Sequence, residues 1–149
     1  MGTRSTIALE FADGTVEQVY CHWDGYLEHN GKILAEHYSD PFKLRDLIDQ
    51  GGISSLGEEI GSKHPFSSHT SPADKIAYEA AQEANATTFY ARDRGEDLTK
   101  EKFVSFEDYA AFHQREEFAY CLRTDGKWYV AFDQGNFAEL ATLLIKETV

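Results

Sequence analysis

The fold is decided by the stretch Ser5–Trp23, which reads STIALEFADGTVEQVYCHW. Apolar and polar residues alternate on both sides of Ala12-Asp13-Gly14, a pattern typical of a β-hairpin with a short glycine loop. A three-residue loop places Ile7 opposite Val19. Because successive side chains of a strand point to opposite faces, the hairpin is expected to have one core face and one polar face.

The polar face of this hairpin combines a guanidinium, a hydroxyl, a phenol and an imidazole. The predicted register puts these groups together as one outward-facing patch, made of Arg4, Thr6, Tyr20 and His22. Cys21 and Trp23 are expected on the core face. Asp24 and Tyr26 follow at the glycine turn that leaves the strand. Phosphate recognition needs convergent donors of these types, and tyrosine can stack on a base, although an ordinary polar sheet face has the same composition.

The remaining segments predict a second hairpin, one more strand and about four helices. The second hairpin joins 117–122 to 127–133 and pairs Leu122 with Trp128; the further strand covers Ala86–Ala91. Segment 53–60 is expected to be a connector, and 61–71 a long loop. Residues 30–38 have helical character. Capping residues or helical spacing predict helices in four further places: after Asp40-Pro41, after Ser71-Pro72, from Ser105 through His113, and after Asn136. Together they predict a single α+β domain over residues 1–149, with a mostly antiparallel sheet of about five strands.

Composition limits the classes of partner. The chain of 149 residues has a net charge of −12, which argues against nucleic-acid binding and against docking to anionic membranes. An acidic surface suits either solubility or occupation of a basic partner protein. Cys21 and Cys121 are expected to be small buried hydrophobes in strands. With no signal pattern and no membrane-length apolar run, we expect a cytoplasmic setting.

Two later stretches resemble the end of the first hairpin in character: Lys63–His69 and Tyr90–Glu96. We expect all three to meet and form a site for an anionic, nucleotide-like small molecule. Two arginines at i, i+2 leaving a strand would reach such a ligand from the same side. The predicted ligand-binding residues are Arg4, Thr6, Tyr20, His22, Asp24, Tyr26, Lys63, His64, Ser67, Ser68, His69, Tyr90, Arg92 and Arg94.

Positive signs of catalysis are missing from the sequence. It contains no glycine elbow around a serine, no P-loop and no dinucleotide fingerprint, so no catalytic residue and no cofactor is assigned. His64 and His69 lack the cysteine or carboxylate spacing of a metal site, so no metal is assigned. A phosphodiesterase using His22 or His64 stays open as an alternative. For Arg92 and Arg94, surface ion pairs with neighbouring carboxylates are the competing interpretation.

Four motifs resemble a family of small uncharacterised proteins of tailed phages: Gly2-Thr3-Arg4-Ser5-Thr6-Ile7, Tyr20-Cys21-His22-Trp23-Asp24-Gly25-Tyr26, Gly61-Ser62-Lys63-His64-Pro65-Phe66 and Tyr90-Ala91-Arg92-Asp93-Arg94-Gly95-Glu96. The resemblance implies an accessory protein that counters host defence in the host cytoplasm. Such proteins sequester nucleotide signals or block a defence protein. For the second role the discriminating residues are acidic: Asp46, Asp49, Glu58, Glu59, Glu79, Glu83 and Asp97. A homo-oligomer that shares its site across an interface is a further expectation.

Overall fold

The computed structural model describes residues 3–66, 71–112, 117–132 and 136–148. Eight strands lie in one sheet: β1 (Ser5–Glu10), β2 (Val16–Cys21), β3 (Ile53–Ser55), β4 (Thr88–Phe89), β5 (Glu101–Phe103), β6 (Phe118–Leu122), β7 (Trp128–Phe132) and β8 (Ala138–Glu139). A π-helical turn, Leu27–Gly31, precedes six α-helices: α1 (Lys32–His37), α2 (Pro41–Asp49), α3 (Pro72–Glu83), α4 (Tyr90–Arg94), α5 (Phe106–Phe112) and α6 (Leu140–Thr148). The strand order is β4-β3-β2-β1-β6-β7-β8, and β5 pairs with β2.

Both predicted hairpins are confirmed, including their registers. Ile7 of β1 lies opposite Val19 of β2, and Leu122 of β6 lies opposite Trp128 of β7. The first loop is closed where the Phe11 N–H donates to the Thr15 carbonyl at 2.8 Å. Turn residues and alternation are local signals, which is why the sequence sufficed here.

The predicted count of five strands is wrong, because the sheet has eight, although the α+β class is correct and most strand pairs are antiparallel. The sheet is mixed: β1 pairs in parallel with β6, so that Ile7 lies opposite Tyr120, and β2 meets β3 in parallel where Cys21 lies opposite Ile53. Parallel neighbours are joined by long connections that leave no turn signal. The extra strands β3, β5 and β8 have two or three residues each, which is too short to show alternation.

Segment boundaries also need correction around the third predicted strand. Only Thr88–Phe89 is a strand, and Tyr90 already begins α4. Arg92 and Arg94 therefore do not leave a strand on one side; two positions apart on a helical turn, they point in different directions. The connector after Gly52 is strand β3, and β8 precedes the last helix, which starts at Leu140 and not directly after Asn136.

Three helix starts are confirmed by their capping bonds. The Asp40 carboxylate accepts from the Phe42 N–H at 2.9 Å at the start of α2. Ser71 and Ser105 open α3 and α5 in the same way, each accepting from a backbone N–H three residues later at 3.1 Å. The predicted end of α5, His113, lies outside the described residues.

The sheet is covered on both faces, which the sequence did not indicate. One core contains Ile7, Val19 and Cys21 under α1 and α2. A second cluster of Ala8, Val16 and Cys121 lies under Tyr109 of α5 on the face that was expected to be polar. Both cysteines are free and buried in strands, as predicted.

Two side chains of the first hairpin contradict their predicted exposure. Thr6 was expected in the outward-facing patch but is only 4% exposed, because α5 and its neighbours cover that part of the sheet. Trp23 was expected in the core but is 41% exposed, because β2 ends at Cys21 and the strand alternation ends with it. Within the described ranges, no helix is long and apolar enough to cross a membrane.

Candidate functional site

The end of β2 is held by its neighbours before the chain turns away. The His22 N–H donates to the Ile53 carbonyl at 3.0 Å, which extends the pairing with β3 by one residue. Asp24 then adopts φ +58°, and the Gly25 N–H donates to the Thr3 carbonyl at 2.8 Å. A Cβ on Gly25 would lie 2.8 Å from that same carbonyl, so the close crossing requires glycine.

Strand register assembles a row of polar side chains across four adjacent strands. Cys21, Ile53 and Phe89 are paired neighbours with buried side chains on the first core. Alternate residues of paired strands point to the opposite face, on strands spaced by about 4.8 Å. The pairing of β3 with β4 shifts its register between Ile53 and Ser55, so that Thr88 lies opposite Ser55. We call the polar residues next to the paired positions, Arg4, His22, Ser54 and Thr88, the polar row.

His64 joins the polar row from the loop before α3. Its Nε2 lies 2.9 Å from Thr88 Oγ1, and its Nδ1 lies 2.9 Å from the Ser62 carbonyl. A carbonyl can only accept, so Nδ1 donates to Ser62; in the neutral imidazole, Nε2 then accepts from the Thr88 hydroxyl. His64 is 6% exposed, and both of its ring nitrogens are engaged. It therefore holds the loop on the sheet.

Arg92 uses every one of its N–H groups within the chain. Its Nε donates to Asp93 Oδ1 at 2.9 Å, and Nη1 donates to the carbonyls of Ile60 and Gly61 at 3.0 and 2.9 Å. Nη2 donates to the Thr87 carbonyl at 2.8 Å and to Asp93 Oδ2 at 3.1 Å. A phosphate could reach this guanidinium only by displacing bonds of the fold.

Asp93 is the centre of the same arrangement. Its side chain is fully shielded from solvent, and it accepts the N–H of Phe89 at 2.8 Å and the N–H of His64 at 3.1 Å. The carboxylate thus ties together strand β4, helix α4 and the loop at His64. We call Arg92, Asp93 and their partners the loop clamp. It brings the second and third predicted stretches into contact.

An aromatic wall extends this contact. The rings of Phe66 and Tyr90 lie 5.7 Å apart, and the Arg94 guanidinium lies 4.8 Å from the Phe66 ring centroid and 5.6 Å from that of Tyr90. Arg94 also pairs with Glu96.

Two of the predicted cations have no charge partner. The side chains of Arg4 and Lys63 are exposed and form no ion pair or hydrogen bond with any described residue. Beside Arg4 in the polar row, His22 Nδ1 is 2.6 Å from the Tyr20 hydroxyl. Arg4 and Lys63 are therefore the exposed cations of the predicted site that have no charge partner among the described residues, whereas Arg94 is exposed but pairs with Glu96.

The other predicted residues are dispersed. Ser67, Ser68 and His69 lie outside the described residues. Thr6 is buried, as described above. Tyr26 is 39% exposed, and the nearby Asp24 carboxylate raises its pKa.

Asp24 lines a different feature, a cavity of about 540 Å³ that sequence reasoning missed. Its carboxylates come from Asp24, Glu28, Glu36 and Glu58, against a single lysine, Lys32. The i, i+4 spacing of Glu28, Lys32 and Glu36 on one helical face was the available signal. We call this the acidic cavity. Its charge is unsuited to an anion.

Backbone strain is concentrated at the acidic cavity. Asp24 at φ +58° and Asn85 at φ +57° are the non-glycine residues with positive φ in the described chain, and both line it. Asp and Asn tolerate this conformation better than other residues. Among the described residues, no group of three or more His, Cys, Asp or Glu side chains could hold a metal ion.

The buried thiols supply no nucleophile to the polar row or to the acidic cavity. Burial raises the pKa of Cys21 to about 11, so its thiol is protonated at neutral pH. Its Sγ is instead contacted by the buried Asn30 amide at 3.4 Å.

Comparisons with protein-family models, curated proteins and solved structures found no match to this chain. The resemblance to tailed-phage proteins therefore stays a prediction. Function has to be inferred from the polar row, the loop clamp and the acidic cavity themselves.

Proposed function

We propose that the protein is a phage-type accessory protein that binds and sequesters an anionic, nucleotide-derived small molecule, without chemistry, and thereby counters host defence. The observation that carries the proposal is the polar row. Arg4 and His22 directly adjoin the paired residues Ser5 and Cys21, and Cys21 also pairs with Ile53 of β3. The neighbouring strand β4 carries Thr88, which is hydrogen-bonded to His64 in the loop that contains Lys63. These contacts support the convergence of donors from distant parts of the sequence.

The unpaired cations and the cation that is bonded within the fold have different roles in this proposal. Arg4 and Lys63 have no charge partner in the described chain, so they can bind phosphate without breaking bonds of the fold. Arg92 acts as a positioning residue, because it fixes the loop that carries Lys63. The Phe66–Tyr90 wall supplies aromatic surface on which a base can stack.

Calorimetry with a panel of linear and cyclic nucleotides tests the proposal. We expect binding by the unmodified chain and a loss of about a hundredfold or more for Arg4→Gln combined with Lys63→Gln, because each of the two charge-assisted bonds contributes roughly 1.5–3 kcal/mol. Lys75→Gln removes one exposed positive charge of α3 that is not assigned to the site and serves as a control for the loss of charge.

Failure to bind any nucleotide of the panel at micromolar protein would contradict the proposal. Equal binding by the Arg4 and Lys63 double variant would contradict the assigned site. Recovery of the ligand unchanged after incubation separates sequestration from the phosphodiesterase alternative.

A second candidate is an acidic inhibitor that binds a basic host protein. The acidic cavity favours it, because Asp24, Glu28, Glu36 and Glu58 concentrate negative charge in a concave surface that a lysine or arginine side chain can enter. Glu58 is also one of the acidic residues that the sequence assigns to this role. Charge reversal at Glu28 and Glu36 would then abolish inhibition of the host protein, while the Arg4 and Lys63 double variant would inhibit normally.

A further inference from the structure

A separate apolar cavity lies where the turns of both hairpins meet the start of α2. It encloses about 390 Å³, within the range of small-molecule sites. Its apolar walls are formed by Leu9, Phe11, Pro41, Phe42 and Leu122. None of these residues belongs to the predicted anion site, and the polar row starts at the other end of β1.

Two charged residues at this cavity, Glu10 and Arg123, neutralise each other. Arg123 donates from Nε and Nη2 to the two carboxylate oxygens of Glu10 at 3.0 and 3.2 Å, and the Thr124 N–H donates to Glu10 at 3.1 Å. Burial works to raise the pKa of Glu10, but these bonds outweigh it and lower the pKa. Glu10 is therefore ionised at neutral pH, and its charge is matched by Arg123.

Arg45 is the cation at the cavity that remains unmatched. Within the described ranges its guanidinium forms no hydrogen bond or ion pair, and it lies 6.0 Å from the Phe11 ring centroid. The adjoining groove, which Arg45 also lines, contains Asp13, Glu17 and Asp49 together with Lys100 and Lys102. Lys100 bridges Glu17 and Asp49, at 3.1 and 3.0 Å, and none of the three carboxylates forms an ion pair with Arg45.

An exposed aromatic ring completes the rim. Phe42 is the second residue of α2 and is 77% exposed, although its backbone N–H is fixed by the Asp40 cap. An exposed phenylalanine beside an apolar cavity is a surface that binding would bury.

We propose that this cavity binds a small amphipathic acid, with its alkyl or aryl body between Leu9, Leu122 and Phe42 and its anionic headgroup on Arg45. Charge complementarity selects the headgroup. The lining holds two arginines and one carboxylate on a chain of net charge −12, so it is a local positive region next to apolar walls. A cationic amphiphile would bring its charge against Arg45.

The test titrates the full chain with octanoate, octanol and octylammonium, and follows the methyl signals of Leu9 and Leu122 by NMR. We expect octanoate to bind about tenfold more tightly than octanol, because the charged headgroup adds a charge-assisted hydrogen bond. Octylammonium should not bind. Arg45→Gln should lower octanoate binding to the level of octanol, Arg45→Lys should restore part of it, and the matched control Lys75→Gln should change nothing.

Phe42→Ala gives a second measurement that does not depend on charge. It should weaken octanoate and octanol by a similar factor, since it removes apolar wall from both. Because both side chains are exposed, we expect this variant and Arg45→Gln to fold normally, and circular dichroism verifies that.

Equal binding of octanoate and octylammonium would overturn the proposal. So would an unchanged octanoate affinity in Arg45→Gln, shifts of methyl signals elsewhere, or binding of an acidic apolar peptide without binding of octanoate. Arg4 and Lys63 do not line this cavity, so the loss of octanoate binding and the loss of nucleotide binding are measured independently.

Discussion

Arg92 shows how a single residue can look like a ligand contact and act as a part of the fold. Its five N–H groups go to Asp93 and to three backbone carbonyls, and its side chain is only 14% exposed. Lysine has three donors at one point and cannot reproduce this fork. The clamp therefore depends on arginine and not on positive charge alone.

We expect Arg92→Lys to lower the free energy of unfolding by about 3 kcal/mol or more, because at least two hydrogen bonds to a charged group are lost. The matched control is Arg94→Lys, whose parent side chain is 56% exposed, and it should stay within about 0.5 kcal/mol. Urea unfolding followed by fluorescence measures both. Similar effects of the two variants would show that the clamp does not contribute to stability as described.

The sequence could identify these residues but not divide them by role. Arg92 and Arg94 read as an equivalent pair because their spacing was assigned to a strand. The helical turn at Tyr90 separates them, and burial of the first depends on carbonyls more than thirty positions away, at Ile60 and Gly61. No local sequence pattern predicts hydrogen-bond partners that lie so far apart in the chain. The pairing of Ser5 with Cys21, in contrast, follows from the predicted hairpin register, because that register is set by a local turn.

At the scale of elements, Gly57 sets how closely two backbone segments approach each other. Gly57 lies against the chain that enters β4, where the Glu59 N–H donates to the Asn85 carbonyl at 3.0 Å. A Cβ at position 57 would lie 2.7 Å from the backbone of Ala86 and closer still to the Asn85 carbonyl oxygen. Backbone atoms on both sides cannot move without breaking this pairing.

We expect Gly57→Ala to destabilise the protein by about 1–3 kcal/mol, the range of overpacked sites. Gly31→Ala is the matched control, because Gly31 is buried in helical conformation and its new Cβ would be 3.4 Å from the Tyr120 hydroxyl oxygen, an ordinary contact. Alanine also suits a helix better than glycine. Thermal unfolding of the two variants compares them, and an equal loss in both would contradict the steric explanation.

Elements with local signals were predictable, and those without were not. Capping residues at Asp40, Ser71 and Ser105 and the two glycine turns marked their elements correctly. Strand β3 carries no such mark. It is a strand because Ile53 fits between Cys21 and Phe89, which is a property of tertiary packing.

For the whole molecule, the dominant long-range term is repulsion between its charges, since the net charge is −12. Raising NaCl from ~20 to ~200 mM shortens the screening length from about 20 Å to about 7 Å. We expect the urea midpoint to rise over this range. Neutralising two exposed acids, Asp46→Asn with Glu79→Gln, should reduce the rise, and a midpoint that falls with salt would show that ion pairs outweigh the repulsion.

The position of β1 between β2 and β6 makes the first strand of the chain depend on one of the last. The side chains of Glu10 and Arg123 are hydrogen-bonded at the end of this parallel pair of strands. The two residues are separated by 113 positions. During synthesis at ~5–20 residues per second, one edge of β1 stays unpaired for ~6–20 s. An open strand edge is a template for other chains. A ribosome that stalls before residue 118 would therefore release a chain prone to aggregate, whereas one that stalls after residue 132 would release a chain with the central sheet complete.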